Sequence, residues 1–168
     1  GLVTALAALA AGCARVFVTD VDDTKLALAA SLSQAITALN VAADPLALIL
    51  QATDGWGVEV VFECSGSTQA ASGVFDALAP GGRVVYVGIP NAPFPYDMGK
   101  AMVREARVEH IFRYAHVFPR CVGLLSSGAI NVKPLITRTF SFDDSIAAFK
   151  IAATAPKGQV KMQIELPQ

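Results

Sequence analysis

A chain of 168 residues has room for one domain and a small appendage around a sizeable core. Its hydrophobic share of 54%, charged share of 16% and mean hydropathy of +0.50 fit an α/β protein with elements buried on two faces. A net charge of −1, with no Lys/Arg run interleaved with aromatics, gives no electrostatic reason to expect nucleic acid or an anionic membrane as partner.

The apolar run Leu2–Ala11 is shorter than the about 20 residues that a membrane span requires. Cys13, Cys64 and Cys121 are odd in number, widely spaced and without a C-x-x-C pair. They are expected to be buried free thiols in a reducing cytoplasm, forming neither a disulfide framework nor a zinc knuckle. His110 and His116 have no carboxylate or thiol at a familiar metal-ligand spacing.

Helix and strand signals alternate along the chain. Leu2, Leu6 and Leu9 form a helical stripe with small alanines between them, suited to close packing on a sheet, and Gly12 is a plausible stop. Arg15–Thr19 reads as a short β-branched strand, and Asp22-Asp23-Thr24 can cap a helix over Lys25–Leu32. Ala35–Asn40 suits a strand, and Asp44-Pro45 opens a helix to about Gln51. Val58–Glu63 reads as a nearly continuous apolar strand, as in a parallel sheet covered on both faces. Ser67–Leu78 reads as helical, Pro80-Gly81-Gly82 as a turn, and Arg83–Gly88 as the next strand. A Pro-rich loop then leads to a helix near Met98–Glu105 and a strand near Arg107–Phe112.

From about Pro134 the texture changes. Leu135–Phe140 is an expected strand, Ser141–Asp144 an S-x-x-D capping box before a helix, and Gln159–Leu166 an alternating strand. The alternation predicts a doubly wound parallel sheet, and this tail predicts strands of a different sheet.

The first 20 residues resemble the second half of a dinucleotide-binding βαβ unit. There a third fingerprint glycine opens a helix, and a carboxylate ends the next strand about 20 residues on. Gly1 and Asp20 stand at those positions. Asp20 would accept hydrogen bonds from adenine-ribose hydroxyls and repel an extra 2′-phosphate, favouring NAD. Lys25 can reach the same ribose region.

Further motifs carry a wider resemblance: Val18-Thr19-Asp20, Phe62-Glu63-Cys64-Ser65-Gly66, Gly81–Gly88, Phe112-Arg113-Tyr114 and Asn131–Thr137. In this order they resemble the C-terminal part of the zinc-dependent medium-chain alcohol dehydrogenases, in the sorbitol/xylitol (polyol) branch. The resemblance implies a Rossmann-type sheet lacking its first strand, with an NAD-binding domain over residues 1–133. Residues 134–168 would be a segment returning to a GroES-like catalytic domain, and the chain would be a piece of a longer protein. The implied activity is hydride transfer from xylitol or sorbitol to NAD in a cytoplasmic homotetramer. Catalytic zinc would be held by residues before Gly1, leaving no metal ligand or catalytic residue in this chain.

The cofactor contacts implied are Gly1, Asp20, Lys25, Cys64, Ser65, Gly66, Val87, Gly88, Ile89, Phe112 and Arg113. Arg113 and Tyr114 would also face the polyol, offering directed hydrogen bonds. Two alternatives remain. Tyr96-Asp97-Met98-Gly99-Lys100 is a Y-x-x-x-K, as in short-chain dehydrogenases, although the preceding strand lacks the serine which that chemistry needs. The other is a nucleotide-binding module without catalysis, against which Phe112-Arg113-Tyr114 argues.

Overall fold

The computed structural model describes residues 1–154 and 156–167; Ala155 and Gln168, both inside the expected returning segment, lie outside the described residues. In chain order the elements are α1 (Leu2–Ala10), β1 (Val16–Asp20), α2 (Asp23–Leu32), β2 (Ile36–Asn40), α3 (Pro45–Ala52), β3 (Val58–Glu63) and α4 (Thr68–Ser72). There follow β4 (Leu78–Tyr86), α5 (Met98–Val103), β5 (Arg107–His110), α6 (Phe118–Ser126), β6 (Ile136–Ser141), α7 (Ser145–Ala153) and β7 (Lys161–Glu165). Each paired strand among the described residues is parallel to its neighbour, in the orders β1-β2, β3-β4-β5 and β6-β7. Strands joined through helices in this way make the chain a Rossmann-like α/β protein. It forms two units, one of Gly1 with residues 44–119 and one of residues 2–43 with 120–168.

In the second of these units, β1 and β2 pair from Val16↔Ile36 to Asp20↔Asn40. Ala5 of α1 and Ala29 of α2 are buried with Ile36, and Leu2, Leu9, Val16, Val18, Leu32 and Ala38 pack around them. Side chains that end at Cβ let both helices approach the strands closely, as the alanine-rich stripe predicts. Asp22 caps α2, accepting the Thr24 N–H at 2.9 Å and the Lys25 N–H at 3.4 Å. Its other oxygen, Oδ2, accepts the Gly158 N–H at 3.0 Å, fastening the turn before β7 to the start of α2. The N–H of Gly158 holds the Asp22 carboxyl below its ordinary value, with the Lys25 and Thr24 N–H groups adding to the effect.

The tail forms the expected strand–helix–strand. Ser141 donates to Asp144 Oδ2 at 2.7 Å, yet neither residue caps α7 through its side chain. A short 3₁₀ turn over Phe142–Asp144 comes first, and the helix begins at Ser145.

In the other unit the core gathers Ala71, Val74, Phe75, Leu78, Val84, Tyr86 and Ala101, with Val61, Phe94, Ala106 and Val108 against it. Two sequence expectations change here. The helix expected over Ser67–Leu78 stops at Ser72, and Leu78 belongs to β4, fully buried. The Pro80–Gly82 turn survives as a register break inside β4: Val58 pairs with Leu78, whereas Val60 pairs with Arg83. The Gly81 N–H meanwhile donates to Arg104 O at 2.7 Å.

Strand β3 was expected to be covered on both faces. Instead Val61 meets the core, while Val60 and Phe62 are 38% and 41% exposed. Hydropathy records that a face is apolar, but whether anything covers it is a tertiary matter. The cysteines correct similarly. Cys13 and Cys121 are exposed and Cys64 half-buried, because Cys13 follows the end of α1 and α6 buries none of its residues.

Candidate nucleotide-binding site

In open parallel sheets, ligands bind beyond the carboxyl ends of the strands, where the loops gather. In the unit of residues 44–119 the strand ends are organised by Glu63, the last residue of β3 and 5% exposed. Its backbone carbonyl accepts the N–H groups of Val87 at 2.8 Å and Gly88 at 2.9 Å, carrying the β3–β4 pairing beyond Tyr86. Its carboxylate turns back on the next loop. There Oε1 accepts the Ser65 N–H at 2.8 Å, the Ser65 hydroxyl and the Gly66 N–H at 3.2 Å, which Oε2 shares at 3.2 Å.

The two strand-end loops are in backbone contact. A Cβ on Gly66, whose φ is +69°, would come 2.6 Å from Ile89 O; one on Gly88 would run into Gly66 N and lie 2.6 Å from Glu63 Oε2. The crowding that requires glycine at 88 is thus internal to the junction. Cys64-Ser65-Gly66 and Val87-Gly88-Ile89, expected from the sequence to face a cofactor, are brought together by it. Gly1 is not crowded: an added Cβ would make only an ordinary 3.9 Å contact with Cys64 Cβ.

Tyr86, just before this junction, donates its hydroxyl to Ala71 O at 3.2 Å. Burial raises its pKa above the ordinary phenol value, and the charges of Tyr96 and Glu63 push in the same direction. Beyond β5, Phe112 and Tyr114 are 73% and 63% exposed. The guanidinium of Arg113 lies 5.1 Å from the centroid of the Phe112 ring, and Tyr114 packs edge-on to Phe118 at 5.0 Å. Arg113 and His116 hold left-handed backbones, φ 57° and 54°, which are uncommon outside glycine and concentrate at functional loops.

In the unit of residues 2–43 and 120–168, Asp20 ends β1, half-buried. Its Oδ1 accepts the N–H groups of Val21 at 2.7 Å and Asp22 at 3.0 Å. These two bonds fix the side chain, while Oδ2 has no hydrogen-bond partner among the described residues. Lys25 is half-buried with its Nζ 4.0 Å from Asp22 Oδ2, so the acid it meets is Asp22.

The Y-x-x-x-K is engaged otherwise. Lys100 Nζ is 2.5 Å from Asp76 Oδ1, and Tyr96 packs edge-on to Phe75 at 5.4 Å. The hydrogen bond that Lys100 donates to the Asp76 carboxylate raises the lysine pKa. Among the described residues no group of three or more His, Cys, Asp and Glu could hold a metal ion, and no helix is long and apolar enough to cross a membrane.

Sequence reasoning passed over Glu63 and Asp22 as functional positions. The available signal for Glu63 was an acid ending an otherwise apolar strand, with Ser and Gly two and three residues on.

Residues 1–127 match the family model described as zinc-binding dehydrogenase, and the chain belongs to that family. It is 46% identical over 169 residues to a protein of Agrobacterium fabrum (strain C58) provisionally named D-xylulose reductase, covering 100% of this chain and 48% of the relative. Among solved structures it resembles an Escherichia coli oxidoreductase/dehydrogenase of unknown specificity, with a TM-score of 0.91 at 28% identity over 99% of this chain and 48% of the other. It also resembles a provisionally assigned zinc-binding dehydrogenase of Sinorhizobium meliloti 1021 bound to NADP, with a TM-score of 0.86 at 28% identity over 98% and 49%. The chain therefore spans about half the length of these relatives.

Proposed function

We propose that the chain is the nucleotide-binding part of an NAD-dependent polyol dehydrogenase, which oxidises a secondary alcohol of xylitol or sorbitol to the ketose. The observation that carries this reading is the Asp20 carboxylate, held by its own turn through Oδ1 and without a hydrogen-bond partner for Oδ2 among the described residues. A fixed acceptor at the carboxyl end of a parallel strand suits a ribose hydroxyl, and its charge disfavours a 2′-phosphate. Lys25, already beside Asp22, adds only a weak counter-charge. The NADP bound to the Sinorhizobium relative makes cofactor choice the point to test.

NAD, when bound, supplies the ring that accepts the hydride. This chain would hold it through Asp20 and Lys25 at the ribose and Cys64-Ser65-Gly66 on the adenosine side. Val87-Gly88-Ile89 and Phe112 would serve the nicotinamide, with Gly1 at the pyrophosphate. Arg113 would touch both cofactor and substrate, and Tyr114 the polyol, through directed N–H and O–H groups. Xylitol is favoured by the likeness to the relative named D-xylulose reductase. The described residues do not fit a zinc site. In this reading the metal is held by another part of the protein, residues 1–133 form the cofactor domain, 134–168 return to the catalytic domain, and the enzyme is a cytoplasmic homotetramer.

The test is Asp20→Ala in the full-length protein. Loss of a hydrogen bond to a charged group, about 1.5–3 kcal/mol, predicts that the preference for NAD over NADP relaxes by about tenfold or more. Unchanged ratios of kcat/KM for the two cofactors would remove Asp20 from the ribose role.

A further inference from the structure

We infer that Glu63 is a positioning residue for nucleotide binding, its carboxylate holding the Cys64–Gly66 loop, on which the Val87–Ile89 loop packs, in the conformation that receives the cofactor. The inference rests on the nucleotide-binding reading and adds to it a residue that touches no ligand. Three features of the junction carry it.

First, Glu63 is the one charged residue among the buried side chains described, so its burial must be offset by hydrogen bonds. Those bonds are present, and they all go to the Cys64–Gly66 loop: the Ser65 N–H, the Ser65 hydroxyl and the Gly66 N–H. Second, the backbone of the same residue binds the other loop, through Val87 N–H and Gly88 N–H. Third, the loops close on the carboxylate itself. Gly88 comes so near Oε2 that a Cβ there would lie 2.6 Å from it.

One residue thus holds both loops, its carboxylate the loop after β3 and its backbone carbonyl the loop after β4, with Gly88 packed against the carboxylate. An ionised carboxylate is acceptor-only, which suits a place where several donors converge. Glutamine, equal in shape, would turn an NH₂ toward either the Ser65 donors or the Gly66 N–H. The loop would loosen where the nucleotide has to find it preformed.

The experiment is titration of the full-length protein with NADH, by calorimetry or nucleotide fluorescence, in wild type, Glu63→Gln and Ser65→Ala, with thermal melts alongside. Glu63→Gln is expected to raise the Kd for NADH by about tenfold or more, and Ser65→Ala, which removes one donor, by severalfold. Both increases should be present at temperatures well below the melting transition, where a purely stabilising residue would leave Kd unmoved. Combining the two substitutions should cost less than the product of their separate effects, because they share a bond. Wild-type affinity in Glu63→Gln overturns the inference while leaving the nucleotide-binding reading standing. Should Glu63→Gln fail to fold, wild-type affinity in Ser65→Ala overturns it equally. Failure of the wild-type protein to bind NADH overturns the nucleotide-binding reading, and this inference with it.

Discussion

At the scale of single residues, chemistry is decided by the partner a side chain has already taken. Tyr96 and Lys100 have the spacing of a proton-shuttle pair, but Lys100 is held by Asp76 at 2.5 Å and Tyr96 leans on Phe75. Lysine at the catalytic position of a short-chain enzyme works by lowering the tyrosine pKa, and one committed to an aspartate is unsuited to that task. Lys100→Met should therefore leave kcat and the Kd for NADH within about twofold of wild type; a loss of about a hundredfold or more, the scale of general acid–base catalysis, would restore the short-chain reading. Asp20 illustrates the opposite case. Its Oδ1 serves the turn, and Oδ2 has no hydrogen-bond partner among the described residues.

At the scale of elements, the end of one helix reaches the tail of the chain. Asp22 caps α2 with one oxygen and binds the Gly158 N–H with the other, 136 residues along. Because its folded pKa is lowered, the carboxylate stabilises the fold above the unfolded aspartate value of about 4, and that contribution is lost as pH falls through the folded value. Asparagine is as good an N-cap but turns an NH₂ on Gly158. Asp22→Asn should lower Tm at neutral pH, and the gap from wild type should narrow as pH falls below about 4. Melts that stay parallel through the acid range would show that the Gly158 bond contributes nothing to stability.

At the scale of the whole molecule, the chain is a Rossmann-like part spanning 48% of its similar relative from Agrobacterium. The described residues offer no metal-binding group of three, and Phe112, Arg113 and Tyr114, which the proposed reading sets at cofactor and substrate, are exposed. On the proposed reading, the 168-residue chain by itself should give no polyol-dependent formation of NADH, followed by its absorbance. Measurable turnover would mean that the chain carries its own catalytic group.

The strand β3 was legible to the residue, because Val58–Glu63 is a short, nearly continuous apolar run bounded by Gly57 and Ser65-Gly66. The same local signals gave α1, β2 and the start of α3, and the Gly1-to-Asp20 spacing gave the ribose-binding expectation. Glu63 was not legible as a positioning residue. Its importance arises from a carboxylate folding back on the neighbouring Ser65 and Gly66 and from the approach of Gly88, which stands 25 residues further along the chain. Nor was the exposure of Phe62, since an apolar side chain reads alike whether or not a neighbour covers it. Sequence by itself determined the order of elements and the family, because both are written in short-range periodicity and motif spacing. Only the tertiary structure decided which polar groups were already committed, because hydrogen-bond partners are set by where the chain returns to itself.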